Sequence, residues 1–395
     1  MSKRNIRIKH FFLAIFVLVV QACSVTPEQT GHVDNSSFKQ PLLVVIEDPR
    51  GIRKQFGAQG PGYSAVIDYA KDPILLRATK RLVDDYQLQH ADEWPIRSLG
   101  VHCIVIESPS AEVLMRLEQD ERVKWVQVFN EFDTLTQSTV TRNTSAIISP
   151  SIVLPNLGNG VDIVVIDTGA DLSHPALKRS DIHYQNFVRG IGDGKNETHG
   201  TAVMGLLGAN DVSGKSPVKG LTKEANLHHY RGCWQKENGG GRCSTLTLAL
   251  ALDAAVQVAP NVLNLSLSGP SDKILEALVN KLVEQGAIII SAHDAKRAQN
   301  NRFPQPQPGV IYAYGAHNNL AMEVPTHTFL ASSTALSLSP SGMYDVFTGH
   351  SIAAPQLTAI TASLLSADPS ISNRSISQRL NEWLSANIDN SLLKE

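Results

Sequence analysis

Three short stretches of this chain carry residue types that together can cleave an acyl bond. Asp167 closes the apolar run Val161-Asp162-Ile163-Val164-Val165-Ile166 and is followed by Thr168-Gly169. His199 lies in Thr198-His199-Gly200-Thr201, and Ser351 in Thr348-Gly349-His350-Ser351-Ile352-Ala353-Ala354-Pro355. A serine hydroxyl is a weak nucleophile until a base removes its proton during attack. Histidine takes that proton near neutral pH and can return it to a leaving amine. A carboxylate behind the imidazole fixes its tautomer and stabilises the imidazolium. A helix that starts at the serine adds backbone N–H groups aimed at a nascent oxyanion. Taken singly, the aspartate reads as a turn residue, the histidine as a helix cap and the serine as an N-cap. Three such stretches in one chain favour the joint reading.

Such residues need rigid supports. The run ending at Ile166 is a buried-strand pattern that delivers Asp167 at its carboxyl end, where parallel sheets form ligand sites. His199 opens a helix running to Leu207. Strand and helix patterns then alternate through Leu227 to Tyr230, Thr245 to Val258, Val262 to Ser266, Asp272 to Gln285 and Ala287 to Ser291. That alternation predicts an α/β fold, a parallel sheet flanked by helices. An α/β-hydrolase esterase is set aside: it needs a Gly-x-Ser-x-Gly elbow with the serine first in the triad order. Here the context is Gly-His-Ser-Ile-Ala and the serine comes last.

From about Gly160 to the carboxyl-terminal helices the chain resembles the subtilisin-like serine peptidases. The resemblance rests on DTGAD at Asp167, THGTAV at His199, NLSLSGP from Asn264 and GHSIAAP at Ser351. It implies a subtilisin-like fold and a serine endopeptidase with Asp167, His199 and Ser351 as catalytic triad. It also implies a substrate strand through Ser266, Leu267, Ser268 and Gly269, whose edge would pair with an extended peptide. Where the family carries an oxyanion asparagine, the segment Ser291-Ala292-His293-Asp294 places Asp294. The expected oxyanion donors are therefore Asp294 and the Ser351 N–H, with Asp294 donating only if protonated. His293 replaces a glycine beside the P1 pocket, His350 replaces a threonine, and Asp171 reads as structural. The alternative is a catalytically silent peptide-binding lipoprotein, with Asp294 as the sign of lost activity. The family raises calcium as a structural ion, but no dense carboxylate loop suited to it stands out. No cofactor and no metal site are expected.

Upstream, Lys3, Arg4, Arg7 and Lys9 precede the apolar run Phe11 to Val20, which has the length of a signal-peptide core. Val20-Gln21-Ala22-Cys23 resembles a bacterial lipobox. That implies a signal peptide at 1–22, an acylated Cys23 and a tether over 23–60, with the acyl chains anchoring the protein. Ser24 in place of Asp points to the outer membrane within the bacterial cell envelope. Residues 61–135 read as a small α+β unit: a helix from Pro73 to about Gln87, a strand Val101 to Glu107, a helix Ala111 to Gln119 capped by Ser108 or Ser110, and a strand Val123 to Phe129. This unit resembles the propeptide inhibitor of the family. Residues 136–158 read as a linker, 159–395 as the catalytic domain, and cleavage is expected within Asp133 to Pro150.

Cys233 and Cys243 bracket a Gly-rich segment and are expected to form a disulfide in an exported chain. A zinc site from these cysteines with His228 or His229 lacks suitable spacing. Cys103 reads as a buried thiol. The chain's 395 residues, 42% hydrophobic and 18% charged, suit two folded domains. A net charge of -2 argues against a basic nucleic-acid module. The expected partners are a peptide or protein substrate, the chain's own propeptide-like domain and a lipid bilayer through Cys23, with no nucleic acid.

Overall fold

The computed structural model describes residues 40–52, 62–63, 73–135, 153–177, 181–210, 213–237, 239–316 and 327–387. The expectations for residues 1–22, for Cys23 and for most of the linker fall outside these residues. Among the described residues no helix is long and apolar enough to cross a membrane.

The amino-terminal part runs β1 (Leu42–Glu47), β2 (Gly62–Tyr63), α1 (Pro73–Tyr86), β3 (His90–Ile96), β4 (Val101–Ile106), α2 (Ala111–Glu118), β5 (Val123–Val128) and β6 (Glu131–Thr134). β1 pairs antiparallel with both β4 and β5, giving the sheet order β3-β4-β1-β5. This is a split β-α-β-β-α-β arrangement. The segment Leu42 to Ile46, whose β-branched residues suit a strand, is one, but it belongs to the small domain's sheet and not to the 23–60 tether range that contains it. Its run Leu-Leu-Val-Val-Ile is apolar without a break because both faces of the sheet are covered. Leu42, Val44, Ile46, Ile104 and Ile106 pack under the helices with Leu82 and Leu117. Leu43, Val45, Cys103 and Val105 face the other way, into the cluster formed with the larger domain. Cys103 is a buried free thiol, as expected, and burial raises its pKa. α2 is capped by Ser110, whose hydroxyl accepts the Val113 N–H at 3.3 Å.

The larger domain follows: β7 (Asp162–Asp167), β8 (His183–Asn186), α3 (Thr198–Gly208), β9 (Asn226–Arg231), β10 (Cys233–Gln235), β11 (Gly241–Ser244), α4 (Thr245–Val258), β12 (Val262–Leu265), β13 (Leu267–Ser268), α5 (Lys273–Glu284) and β14 (Ile288–Ala292). It closes with β15 (Val310–Ala316), β16 (Thr328–Ser332), the hairpin β17 (Thr334–Ser339) and β18 (Met343–Thr348), α6 (His350–Ala367) and α7 (Ile376–Asn387). The main sheet has the order β16-β15-β14-β12-β7-β9-β8-β2, and its neighbours pair in parallel. The predicted α/β architecture is therefore present. Alternate residues feed two cores: Val164, Ile166, Leu263 and Ile289 meet α4 and α5, while Ile163, Val165, Val262 and Ile290 meet α3 and α6.

The small sheet lies on α4 and α5, where Leu248, Leu252, Leu275 and Leu278 share a core with Val45 and Trp94. Polar pins fix the contact. Asp253, buried in the middle of α4, accepts the Ser98 N–H at 2.9 Å and the Arg97 N–H at 3.3 Å. Asp272, the N-cap of α5, accepts from Gln127 at 2.8 Å and from Asn130 at 3.0 Å.

Candidate active site

Asp167 ends β7 fully buried, and the sequence turns at once through Thr168-Gly169. Helix α3 begins one strand-to-helix excursion later and carries His199 as its second residue, only 4% exposed. Gly200 lets this helix approach the Asp loop, since a Cβ there would run into the carbonyls of Thr168 and Gly169. The Thr168 hydroxyl accepts the Gly200 N–H at 2.9 Å. This contact sets the imidazole against the carboxylate: His199 Nδ1 lies 2.5 Å from Asp167 Oδ1, and the same oxygen accepts the Thr168 N–H at 2.6 Å. The Asp–His half of the expected triad is formed, with Nδ1 as donor.

Ser351 is the second residue of α6, fully buried, and α6 packs against α3. The His–Ser half is not closed, because His199 Nε2 is buried without a hydrogen-bond partner among the described residues. Such bonds often tighten only when substrate is bound.

Two buried groups brace this loop, and neither was singled out in the sequence as a support. The Arg231 guanidinium, at the end of β9, is fully buried and bonds the Glu197 carboxylate. It also donates to the Ile191 carbonyl at 2.7 Å and the Gly192 carbonyl at 2.9 Å. Glu197 precedes α3 and accepts the Gly169 N–H as well, so one ion pair ties the Asp loop to the start of the His helix. A sequence signal did exist: an arginine at the end of a strand that carries two histidines, and an acid two residues before His199. The second group is His229, whose Nε2 donates to the Thr168 carbonyl at 2.9 Å. Burial lowers its pKa to about 4, which keeps the ring neutral.

The strand expected to receive substrate, β13, already has a neighbour on its edge. β13 pairs antiparallel with β6, Leu267 opposite Thr134 and Ser268 opposite Asp133. The other edge of β6 pairs with β11, Arg242 opposite Asp133 and Ser244 opposite Glu131. The chain's own segment is thus threaded between two strands. Phe132 is buried with its ring over Gly269, where no Cβ would fit, and meets Phe303 edge-on at 5.6 Å. Ser266 is fully buried and accepts from Asn264 Nδ2 at 3.0 Å. The Gly269 carbonyl accepts the Phe303 N–H at 2.9 Å. Glu131 to Thr134, the end of the 61–135 unit, thus pair with strands of the larger domain.

Asp294 departs from the role anticipated for it. Its carboxylate accepts the Lys296 N–H at 3.0 Å and pairs with Arg297 Nε at 3.2 Å. In both contacts the Asp294 oxygens act as acceptors. Sequence reasoning missed Arg297 because the pairing depends on a turn. His293 is 5% exposed and lies among Tyr312, Tyr314 and His350, at 6.1, 5.4 and 6.4 Å between ring centres. Burial, with the charges of Arg302 and His350, lowers its pKa to about 4. His350 packs locally, its Nδ1 accepting the Gly315 N–H at 2.8 Å. Asp171 is structural, accepting the Ser173 N–H at 3.0 Å and the Ser341 N–H at 2.9 Å.

Cys233 and Cys243 are joined as a disulfide across β10 and β11. That excludes them as zinc ligands; His228 stacks on His183 at 4.8 Å instead. Among the described residues no cluster of three or more His, Cys, Asp or Glu could hold a metal.

A parallel sheet thus presents a buried Asp–His pair at the carboxyl end of β7, with β13 paired antiparallel to β6. Residues 158–301 match the family model described as Subtilase family. The major intracellular serine protease of Bacillus subtilis (strain 168) is 28% identical over 242 residues, covering 56% of this chain and 73% of that protein. Subtilisin amylosacchariticus of Bacillus subtilis subsp. amylosacchariticus is 27% identical over 240 residues, covering 56% of this chain. The chain spans only 60% of that relative's length. M-protease of Shouchella clausii (strain KSM-K16) is 26% identical over 325 residues, covering 79% of this chain and 80% of its own.

Proposed function

We propose that the chain is a self-restrained serine endopeptidase, with Ser351 as nucleophile, His199 as general base and acid, and Asp167 as the group that orients the imidazole. Ser351 Oγ attacks the peptide carbonyl while its proton passes to His199 Nε2. The proton then goes to the departing amine as the C–N bond breaks, and water hydrolyses the acyl-enzyme by the same route. The Ser351 N–H at the start of α6 serves the oxyanion, and Asp294 adds a donor only if it leaves Arg297 and takes up a proton.

The observation that carries this reading is the antiparallel pairing of β6 with β13, the geometry of a bound extended peptide. Continuing the register by one residue sets Leu135 opposite Ser266. The bond after Leu135 is therefore the proposed site of self-processing, inside the range anticipated from sequence. The small domain acts as propeptide, its covalent link giving the strand a high effective concentration in the groove. The reading includes signal cleavage before Cys23, acylation of Cys23 and attachment to the outer membrane of a bacterial envelope.

A second reading, a silent peptide-binding lipoprotein, is favoured by the unclosed His199 Nε2 and the ion-paired Asp294. Intact mass of the purified chain beside its Ser351→Ala twin separates the two. Splitting after Leu135 in the wild type alone, with fluorophosphonate labelling of Ser351, supports the peptidase. Two whole chains and no label would leave the silent reading.

A further inference from the structure

Beside β13 lies a second buried cation besides Arg231, and no carboxylate among the described residues pairs with it. Arg302 is 4% exposed, yet its Nε and Nη1 make no hydrogen bond among the described residues. One bond, from Nη2 to the Arg297 carbonyl at 2.5 Å, holds the guanidinium in place. Its Cζ stands 5.6 Å from the centre of the Tyr312 ring. His293 also sits by Tyr312, and neither of its ring nitrogens has a partner among the described residues. Buried polar groups are nearly always paired, so four orphan nitrogens in one neighbourhood call for an occupant.

Their position says which occupant. On one side of the substrate strand, Ser291 donates its hydroxyl to the Leu267 carbonyl at 3.3 Å, and the chain runs on through Ala292 to His293. On the other side, Phe303 is bridged to Gly269, which places Arg302 next to the same strand. By the extended register, the residue opposite Ser266, last before the proposed scissile bond, would enter between these two segments. A carboxylate accepts from a guanidinium in a bidentate fork and has lone pairs left for an imidazole N–H. A neutral or basic side chain would leave the cation desolvated and unpaired, which is costly.

Building on the peptidase reading, we infer that Arg302 and His293 form a specificity pocket for an acidic residue, glutamate or aspartate, at the position preceding the cleaved bond. The chain's own strand fits this account. The nitrogens stay orphaned with β6 seated in the groove, and the register brings Leu135, not an acid, to that position. The propeptide is then a deliberately poor match that an acidic substrate displaces, its processing driven by covalent tethering rather than by pocket fit.

The test uses the full chain and three probes. A fluorophosphonate without a peptide portion reports whether Ser351 is reactive. Two peptidyl diphenyl phosphonates, identical except for a glutamate or a leucine analogue at the terminal position, report pocket preference by their rates of labelling, followed by intact mass. The expected result is labelling by the glutamate probe about a hundredfold faster than by the leucine probe. In Arg302→Met the order should reverse, with fluorophosphonate labelling of the variant reporting that its serine remains competent. Equal rates, or a faster leucine probe, in a wild type that takes the fluorophosphonate would overturn the pocket while leaving the peptidase standing. Failure of all three probes would remove the peptidase reading and the pocket with it.

Discussion

Arg231 and Arg302 are both buried arginines near the groove, and they differ in what surrounds them. Arg231 is met by the Glu197 carboxylate and two carbonyls, so its charge and most of its donors are spent inside the protein. Arg302 has one carbonyl and an aromatic face. Glu276, the acid whose field reaches Tyr312 together with that of Arg302, is turned elsewhere and accepts the Gln305 N–H at 2.9 Å. A satisfied buried ion pair holds two chain segments in register, whereas an unsatisfied one waits for a ligand. The first belongs to the scaffold of the Asp–His pair, the second to recognition.

That contrast can be broken or sharpened by measurement. Glu197→Ala strands Arg231 as an unpaired buried charge and should lower stability by about 3–5 kcal/mol in urea titrations, with loss of fluorophosphonate labelling. A cost near zero would mean that the pair is not the tie it looks to be. Glu276 offers a pH test. Burial, with the nearby Asp272 charge, pushes its pKa up to about 8, so it is protonated in the fold at neutral pH. Its stabilisation is complete below the ordinary glutamate pKa and declines as pH rises toward about 8, because the unfolded chain has already lost that proton. Wild type should lose roughly 3 kcal/mol more than Glu276→Gln between pH 5 and pH 8. If the two curves run parallel, Glu276 is ionised and is the better candidate for the partner of Arg302.

Asp253→Ala leaves the Arg97 and Ser98 N–H groups without their acceptor where the small domain meets α4. A loss of about 1–2 kcal/mol is expected, with faster amide exchange in β3 and β4. Last comes Arg302→Met, which should change stability by less than about 1 kcal/mol, since an unpaired cation contributes little to the fold that displays it. A loss as large as that of Glu197→Ala would place both arginines in the scaffold.

The larger domain was legible in outline. Its strands are continuous apolar runs because both faces are covered, and each run ends in polar residues that the sheet must present at its edge. Asp167 and His199 could be paired by inspection, since each has its own local punctuation. The small domain was read less well. Leu42 to Ile46 reads as a strand from its β-branched run, but its place in the small domain does not show, because its partners β4 and β5 lie far along the chain. Asp294 takes its expected role from its place in a motif, and the neighbouring turn that brings Arg297 to it is not visible there.

By itself, the sequence determined the alternation that makes a parallel sheet, the residue types able to perform acyl transfer, and the cysteine pair that closes a short hairpin. These are local properties: periodicity, chemical identity and spacing. Tertiary structure alone decided that β6 fills the groove between β11 and β13, that Glu197 answers Arg231, and that Arg302 and His293 face the same strand unanswered. Each of these depends on segments far apart in the chain meeting in a desolvated space. Whether a buried charge is paired is a property of that space, and no window of sequence contains it.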